Sequence, residues 1–114
     1  FQQARLLLGS EYQNMAENNP RYREEAFQIA RNRMLYSGRV DVVVTDMRIL
    51  RYFNHEVRGQ VDVTQALSIY PIFAPTDYKL GCQQQAHCAR FNQGLALLKQ
   101  SGEYAEIERR YAMY

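Results

Sequence analysis

Apolar residues along the chain fall into helical spacing on either side of one short β-branched run. Between Glu24 and Tyr36 they recur at intervals typical of an amphipathic helix. A nearly continuous valine run then covers residues 40–44, which is typical of a strand buried on both faces. Helical spacing returns after Asp46. The order of helix, buried strand and helix predicts an α/β arrangement.

The remaining segments predict three more helices and two weaker strands. We expect a short helix over residues 11–17 with Ser10 as its N-cap, because a serine hydroxyl can accept a hydrogen bond from a first-turn N–H. Residues 61–69 and 78–82 are candidates for short strands. Two closing helices are predicted, separated at Gly102. The apolar positions of the four longer predicted helices are Phe27, Ala30, Met34 and Leu35; Ile49, Leu50 and Phe53; Phe91, Leu95 and Leu98; Tyr104, Ile107 and Tyr111.

Composition excludes several classes of protein. The chain has 114 residues, which is enough for one compact unit and short for two. Hydrophobic residues make up 46% and charged residues 23%, close to globular averages. The net charge of +2 is small and both signs are interleaved, so no nucleic-acid partner is expected. No apolar run reaches the roughly 20 residues that a membrane span needs.

Cysteine and histidine give little support for catalysis or for a metal. Cys82 and Cys88 are spaced to allow a small disulfide loop in an oxidising compartment, although the sequence alone leaves their redox state open. A zinc site would need more ligands than these and His55 and His87 supply. His87 and Cys88 are sequence neighbours and do not face each other on a helix. We expect no catalytic residue, no metal and no cofactor.

Two short segments are candidates for ligand binding. Asp46 follows the predicted strand and precedes the next helix, where its carboxylate would either pair with a ligand ammonium group or only cap the helix. Thr45 is a further candidate beside it, and Asp41 is a weaker one. Gly9 and Ser10 precede a predicted helix, so free N–H groups there would either bind an anion or form an ordinary N-cap.

Three segments resemble a known family, the family 3 extracellular solute-binding proteins, which are amino-acid-type receptors of ABC importers. The similarity is to the C-terminal half of that family and covers about two thirds of the chain. The segments are GRVDVVVTD, YPIFAPTDYKLGCQ and FNQGLALLKQSGEYAEIERRY.

This resemblance implies a fold and a site. The fold would be α/β, of the periplasmic-binding-protein-like type II. Residues 1–73 would form the second, ligand-gripping lobe, and residues 74–114 a hinge return strand and a C-terminal helix pair, with most of the first lobe missing. Asp46 would grip an α-amino group, and Gly9 with Ser10 would lie near the helix start that binds a carboxylate. Glu11 departs from the family pattern, and its negative charge disfavours a carboxylate there.

The resemblance also implies a function. We expect a periplasmic receptor fragment that captures a small polar solute, such as an amino acid, for an ABC permease, without making or breaking covalent bonds. One alternative is the ligand-sensing domain of a signalling protein, and another is a lyase or murein-cleaving enzyme. Apolar surface left open by the missing lobe predicts a homodimer formed by exchange of the C-terminal helices.

Overall fold

The computed structural model describes residues 1–75 and 77–112, and within them every regular element is a helix. The described residues divide into two compact units, the first ending at Phe73 and the second beginning at Ala74. No helix in the described part combines the length and apolarity needed to cross a membrane. The helices are α1 (Ala4–Leu7), α2 (Ser10–Asn18), α3 (Gln28–Tyr36), α4 (Met47–Val57), α5 (Gln85–Gln100) and α6 (Glu103–Ala112).

The first unit contains two helix pairs, α1 with α2 and α3 with α4. Helix α4 is strongly amphipathic and buries Leu50 and Val57, which are 4% and 0% exposed. Tyr36 at the end of α3 is also buried. In the other pair, the small side chains of Ala4 and Ala16 are buried. The apolar core of this unit is therefore small.

The second unit contains the helical hairpin of α5 and α6. Gly102 separates the two helices with a φ of +84°, a left-handed conformation that glycine adopts without steric cost. A disulfide joins Cys82 to Cys88 and ties the segment before α5 to its first turn. Neither helix buries a residue in its described part. Burial therefore contributes little to the stability of this hairpin.

The predicted α/β fold, a type II periplasmic-binding-protein lobe, is wrong for this structure, because the described residues contain no strand. Residues 41–45 make no backbone hydrogen bond to another described residue, and Val42 is 79% exposed. A valine run favours a strand only where a neighbouring strand supplies ladder hydrogen bonds and cover, and none lies beside it in the described part. The strands predicted at residues 61–69 and 78–82 are absent for the same reason.

The helix predictions succeed mainly where local signals end or begin a helix. Gly38 ends α3 with a φ of +67°, and its N–H donates to the Leu35 carbonyl at 3.1 Å. The two closing helices and the break at Gly102 are confirmed. The predicted Ser10 N-cap is wrong, because Ser10 is already inside α2, Gly9 occupies the cap and no side chain caps the helix.

The apolar stripe predicted for α3 is confirmed only in part. The helix begins at Gln28, not at Glu24, and Ala30, Met34 and Leu35 are half-buried. Phe27 is 76% exposed, whereas Arg31 and Asn32 are buried at 4% and 0% exposure. The buried face of α3 is therefore partly polar.

Candidate functional site

Asp46 caps the N-terminus of α4. Its Oδ1 accepts hydrogen bonds from the backbone N–H groups of Arg48 at 2.7 Å and Ile49 at 3.2 Å, and the residue is exposed. Two donors that have no partner within the helix are thereby satisfied. Its other oxygen, Oδ2, makes no hydrogen bond to a described residue. The cap holds the carboxylate in one orientation and leaves one oxygen for another donor.

Thr45 lies directly before this cap. Its hydroxyl donates to the Asp46 carbonyl at 3.1 Å, and the residue is half-buried. A threonine hydroxyl has acceptor lone pairs as well as one donor. It therefore adds acceptor capacity beside the Asp46 carboxylate.

Gly9 and Ser10 lie at the start of α2. Gly9 has a φ of +92°, and its carbonyl accepts the first helical hydrogen bond, from Gln13 at 3.0 Å. The preceding N–H groups of the first turn have no carbonyl partner within the helix, which is the general condition of a helix start. Glu11 places a carboxylate in the same turn, where the helix dipole favours negative charge. A ligand anion at this point would meet repulsion from Glu11.

The structure does not bring these two segments together. Helix α2 packs on α1, and α4 packs on α3, without contact between α2 and α4. No hydrogen bond or ion pair between described residues joins Gly9 or Ser10 to Thr45 or Asp46. The predicted site is thus two separate helix starts, and each has to be considered alone.

The disulfide engages both cysteine candidates. Cys82 and Cys88 are bonded to each other, so neither carries a free thiol. In the first unit, Nδ1 of His55 lies 3.5 Å from the Glu56 carboxylate. Within residues 1–75 and 77–112, no group of three or more His, Cys, Asp and Glu side chains is arranged to hold a metal ion.

A buried polar network between α3 and α4 was not predicted from the sequence. The Asn32 side-chain amide donates to the Leu50 carbonyl at 2.9 Å and to Asn54 Oδ1 at 2.8 Å. Asn54 in turn donates to the Tyr36 hydroxyl at 2.7 Å. The Tyr36 carbonyl accepts from Gln65 at 3.1 Å. These bonds fix the register of the two helices by polar contacts in an otherwise small core.

Arg31 adjoins this network and carries a buried charge. Its Nη2 is 3.4 Å from Asn32 Oδ1, which is a long hydrogen bond. Burial lowers the pKa of the Arg31 guanidinium from its ordinary value. The pKa of the Phe1 amino group is lowered by burial and then by the charge of Arg31. Helical spacing puts Arg31 four residues after Phe27 and three before Met34, on the same face of α3. The charge therefore lies on the face that the apolar pattern predicts to be buried.

No protein-family model, curated protein or solved structure matches the chain. The family resemblance therefore rests on the three sequence segments.

Proposed function

We propose that the chain is part of an extracytoplasmic receptor that captures a small polar solute, similar to an amino acid, and delivers it to an ABC permease. The proposal concerns binding and not the α/β lobe, which the described structure lacks. The observation that carries it is the exposed Asp46 carboxylate, held by two backbone N–H groups through one oxygen only.

Asp46 suits the recognition of an ammonium group. A charged hydrogen bond from a ligand N–H to a carboxylate is stronger than a neutral one, and a carboxylate whose orientation is already fixed loses little entropy when the ligand binds. Since capping occupies Oδ1, a ligand bound at Oδ2 leaves the start of α4 intact. The Thr45 hydroxyl offers a further acceptor to the N–H groups of the same ligand. The two roles that the sequence left open for Asp46 are thus compatible.

Gly9 and Ser10 remain a separate proposal for the ligand carboxylate. Glu11 lies in the same turn, and α2 does not contact α4, so nothing in this arrangement favours one small zwitterion that bridges both helix starts. Solutes whose recognition depends on an ammonium group are therefore favoured over those that depend on a carboxylate.

The disulfide supports a location outside the cytoplasm. Cys82 and Cys88 pair within one short loop, and disulfides persist mainly in oxidising compartments such as the bacterial periplasm. A receptor that works with an importer acts in that compartment. The periplasmic part of the proposal draws its support from this bond.

The test is a thermal-shift and calorimetry screen of the chain against amino acids and small amines, since a ligand that binds only the native state raises the Tm. Asp46→Asn keeps a capping side chain and removes the charge, whereas Asp46→Ala loses the cap as well, at a cost of about 1 kcal/mol. We expect Asp46→Asn to weaken binding of the best ligand at least about tenfold with little loss of stability.

Asp62→Asn is the matched control, because Asp62 is another exposed aspartate that accepts a backbone N–H, that of Thr64 at 2.9 Å. It should leave the affinity unchanged. Equal affinity of the Asp46→Asn variant and the unmodified chain would show that Asp46 is only a helix cap.

A further inference from the structure

Helix α3 carries two buried polar atoms that have no hydrogen-bond partner among the described residues, Nε of Arg31 and Oε1 of Gln28. The first is a donor on a positively charged group and the second is an acceptor. Residues three apart on a helix lie on the same face, so the two side chains project from neighbouring positions of α3. Neither atom satisfies the other.

Arg31 lacks a counter-charge within the described chain. The residue is only 4% exposed, and none of the ion pairs between described residues includes it. Arginine stays protonated in proteins, and an unpaired buried charge is strongly destabilising. The arrangement is therefore incomplete without an anion.

The acidic residues nearest in sequence are engaged elsewhere. Glu24 accepts from the N–H groups of Gln3 and Arg5 and from the Tyr22 hydroxyl. Glu25 accepts from the backbone N–H of Phe27 at 2.8 Å. The positions three and four residues from Arg31 on either side carry no carboxylate. The missing anion thus has to come from outside this helix.

We propose that Arg31 and Gln28 form a binding site for a small organic carboxylate that also carries an O–H or N–H donor, as an α-hydroxy or α-amino acid does. The carboxylate pairs with the Arg31 guanidinium, and the donor satisfies Gln28 Oε1. Both atoms are covered, so the side chains above them move when the ligand enters. The site is independent of Asp46, which has the opposite charge and lies before α4.

The test follows the Nε–H signal of Arg31 by NMR while lactate, glycine, propionate or chloride is added to the chain. Lactate or glycine should shift the signal saturably. Propionate, which lacks the donor, should bind about tenfold more weakly because it leaves Gln28 Oε1 unsatisfied. Chloride should cause no saturable shift. An equal response to chloride would show an adventitious ion only, and equal binding of propionate would remove Gln28 from the site.

Three variants complete the test. Gln28→Glu places a carboxylate one turn from Arg31, and it should raise the Tm of the free chain and abolish the response to lactate and glycine. Arg31→Met removes the Nε–H signal itself, so its binding of lactate and glycine is measured by calorimetry, which should detect none. Helix content by circular dichroism should not fall, because the variant removes a buried unpaired charge. Arg33→Met removes an exposed arginine from the same helix and should change nothing.

Unchanged lactate and glycine binding in the Gln28→Glu and Arg31→Met variants, or no binding to the unmodified chain, would overturn the inference. Either result is distinguishable from failure of the receptor proposal, which depends on Asp46→Asn.

Discussion

The carboxylate of Glu24 accepts a hydrogen bond from the backbone N–H of Gln3 at 2.7 Å, across 21 positions of the chain. Gln3 precedes α1 with a φ of +62° and has no capping side chain of its own. The same carboxylate accepts from the N–H of Arg5 at 3.2 Å and from the Tyr22 hydroxyl at 3.0 Å. Glu24 is thus the N-terminal cap of α1, supplied by a distant part of the sequence.

Glu24→Gln should destabilise the chain in a pH-dependent way. Desolvation favours the neutral acid, but the N–H groups of Arg5 and Gln3, the Tyr22 hydroxyl and the Arg5 charge outweigh it and lower the pKa of Glu24. A lowered pKa stabilises the fold above the ordinary value of a glutamate, and this stabilisation is lost as the pH falls through the lowered value. Urea unfolding between about pH 7 and about pH 3 measures the difference.

The unmodified chain should be the more stable at neutral pH, and the two curves should converge at the acid end. Glu17→Gln is the control, because the bond that Glu17 accepts from a described residue is a local one, from the Gln13 side chain on the surface of α2. A stability difference between Glu24→Gln and the unmodified chain that does not change with pH would contradict the role of the charge.

The parts of the fold that sequence reasoning predicted are those determined within a few residues. Gly38 and Gly102 end helices because the left-handed conformation is available to glycine at a local position. Asp46 was considered as a cap because its carboxylate reaches N–H groups only two and three residues away. Such signals need no knowledge of the rest of the chain.

The parts that it missed depend on distant partners. The valine run was interpreted as a strand, but a strand exists only if another strand pairs with it. The Glu24 cap links positions 21 apart, and the Asn32 bond to Asn54 links positions 22 apart. Arg31 shares the face of Phe27 and Met34 by helical spacing, but its burial was not predicted because a charged residue is normally expected to be solvated. Only tertiary structure reveals a buried one.

Asn32→Ala should strongly destabilise the chain. It removes the two hydrogen bonds to Leu50 and Asn54 in a fully buried position, and a loss of about 2–3 kcal/mol is expected when buried partners are left unsatisfied. Equilibrium unfolding in urea gives the value.

The control for Asn32 is Asn18→Ala, which removes an exposed bond to the Asn14 carbonyl at the end of α2. It should cost less than about 1 kcal/mol. Similar losses at the two positions would argue against a structural role for the buried network.

Reduction of the disulfide should loosen the start of α5. The bond closes a loop with a sequence separation of 6, and its removal should cost about 2 kcal/mol by the loop-entropy relation. Because the described part of the hairpin buries no residue, little else resists local opening. Hydrogen exchange of the amides at residues 87–90, with and without a thiol reductant, measures the effect.

A Cys82→Ser and Cys88→Ser double variant should reproduce the reduced chain and no longer respond to the reductant. Exchange in α3 and α4 provides the internal control, since those helices lie in the other unit. Unchanged protection of α5 after reduction would show that the helix start is stable by itself.

Exposed apolar side chains on the C-terminal hairpin predict self-association. Leu97, Phe91 and Ile107 are 66%, 46% and 43% exposed, and a second copy that exchanges its C-terminal helices would cover them. Light scattering should give a mass approaching twice the 13.4 kDa of one chain as the concentration rises. Isotope-filtered NMR should detect contacts between α5 of one copy and α6 of the other. Leu97→Lys should weaken association at least about tenfold, whereas Gln93→Lys adds the same charge at a polar exposed position of α5 and should not. A constant monomer mass at every concentration would rule out the helix-exchanged dimer.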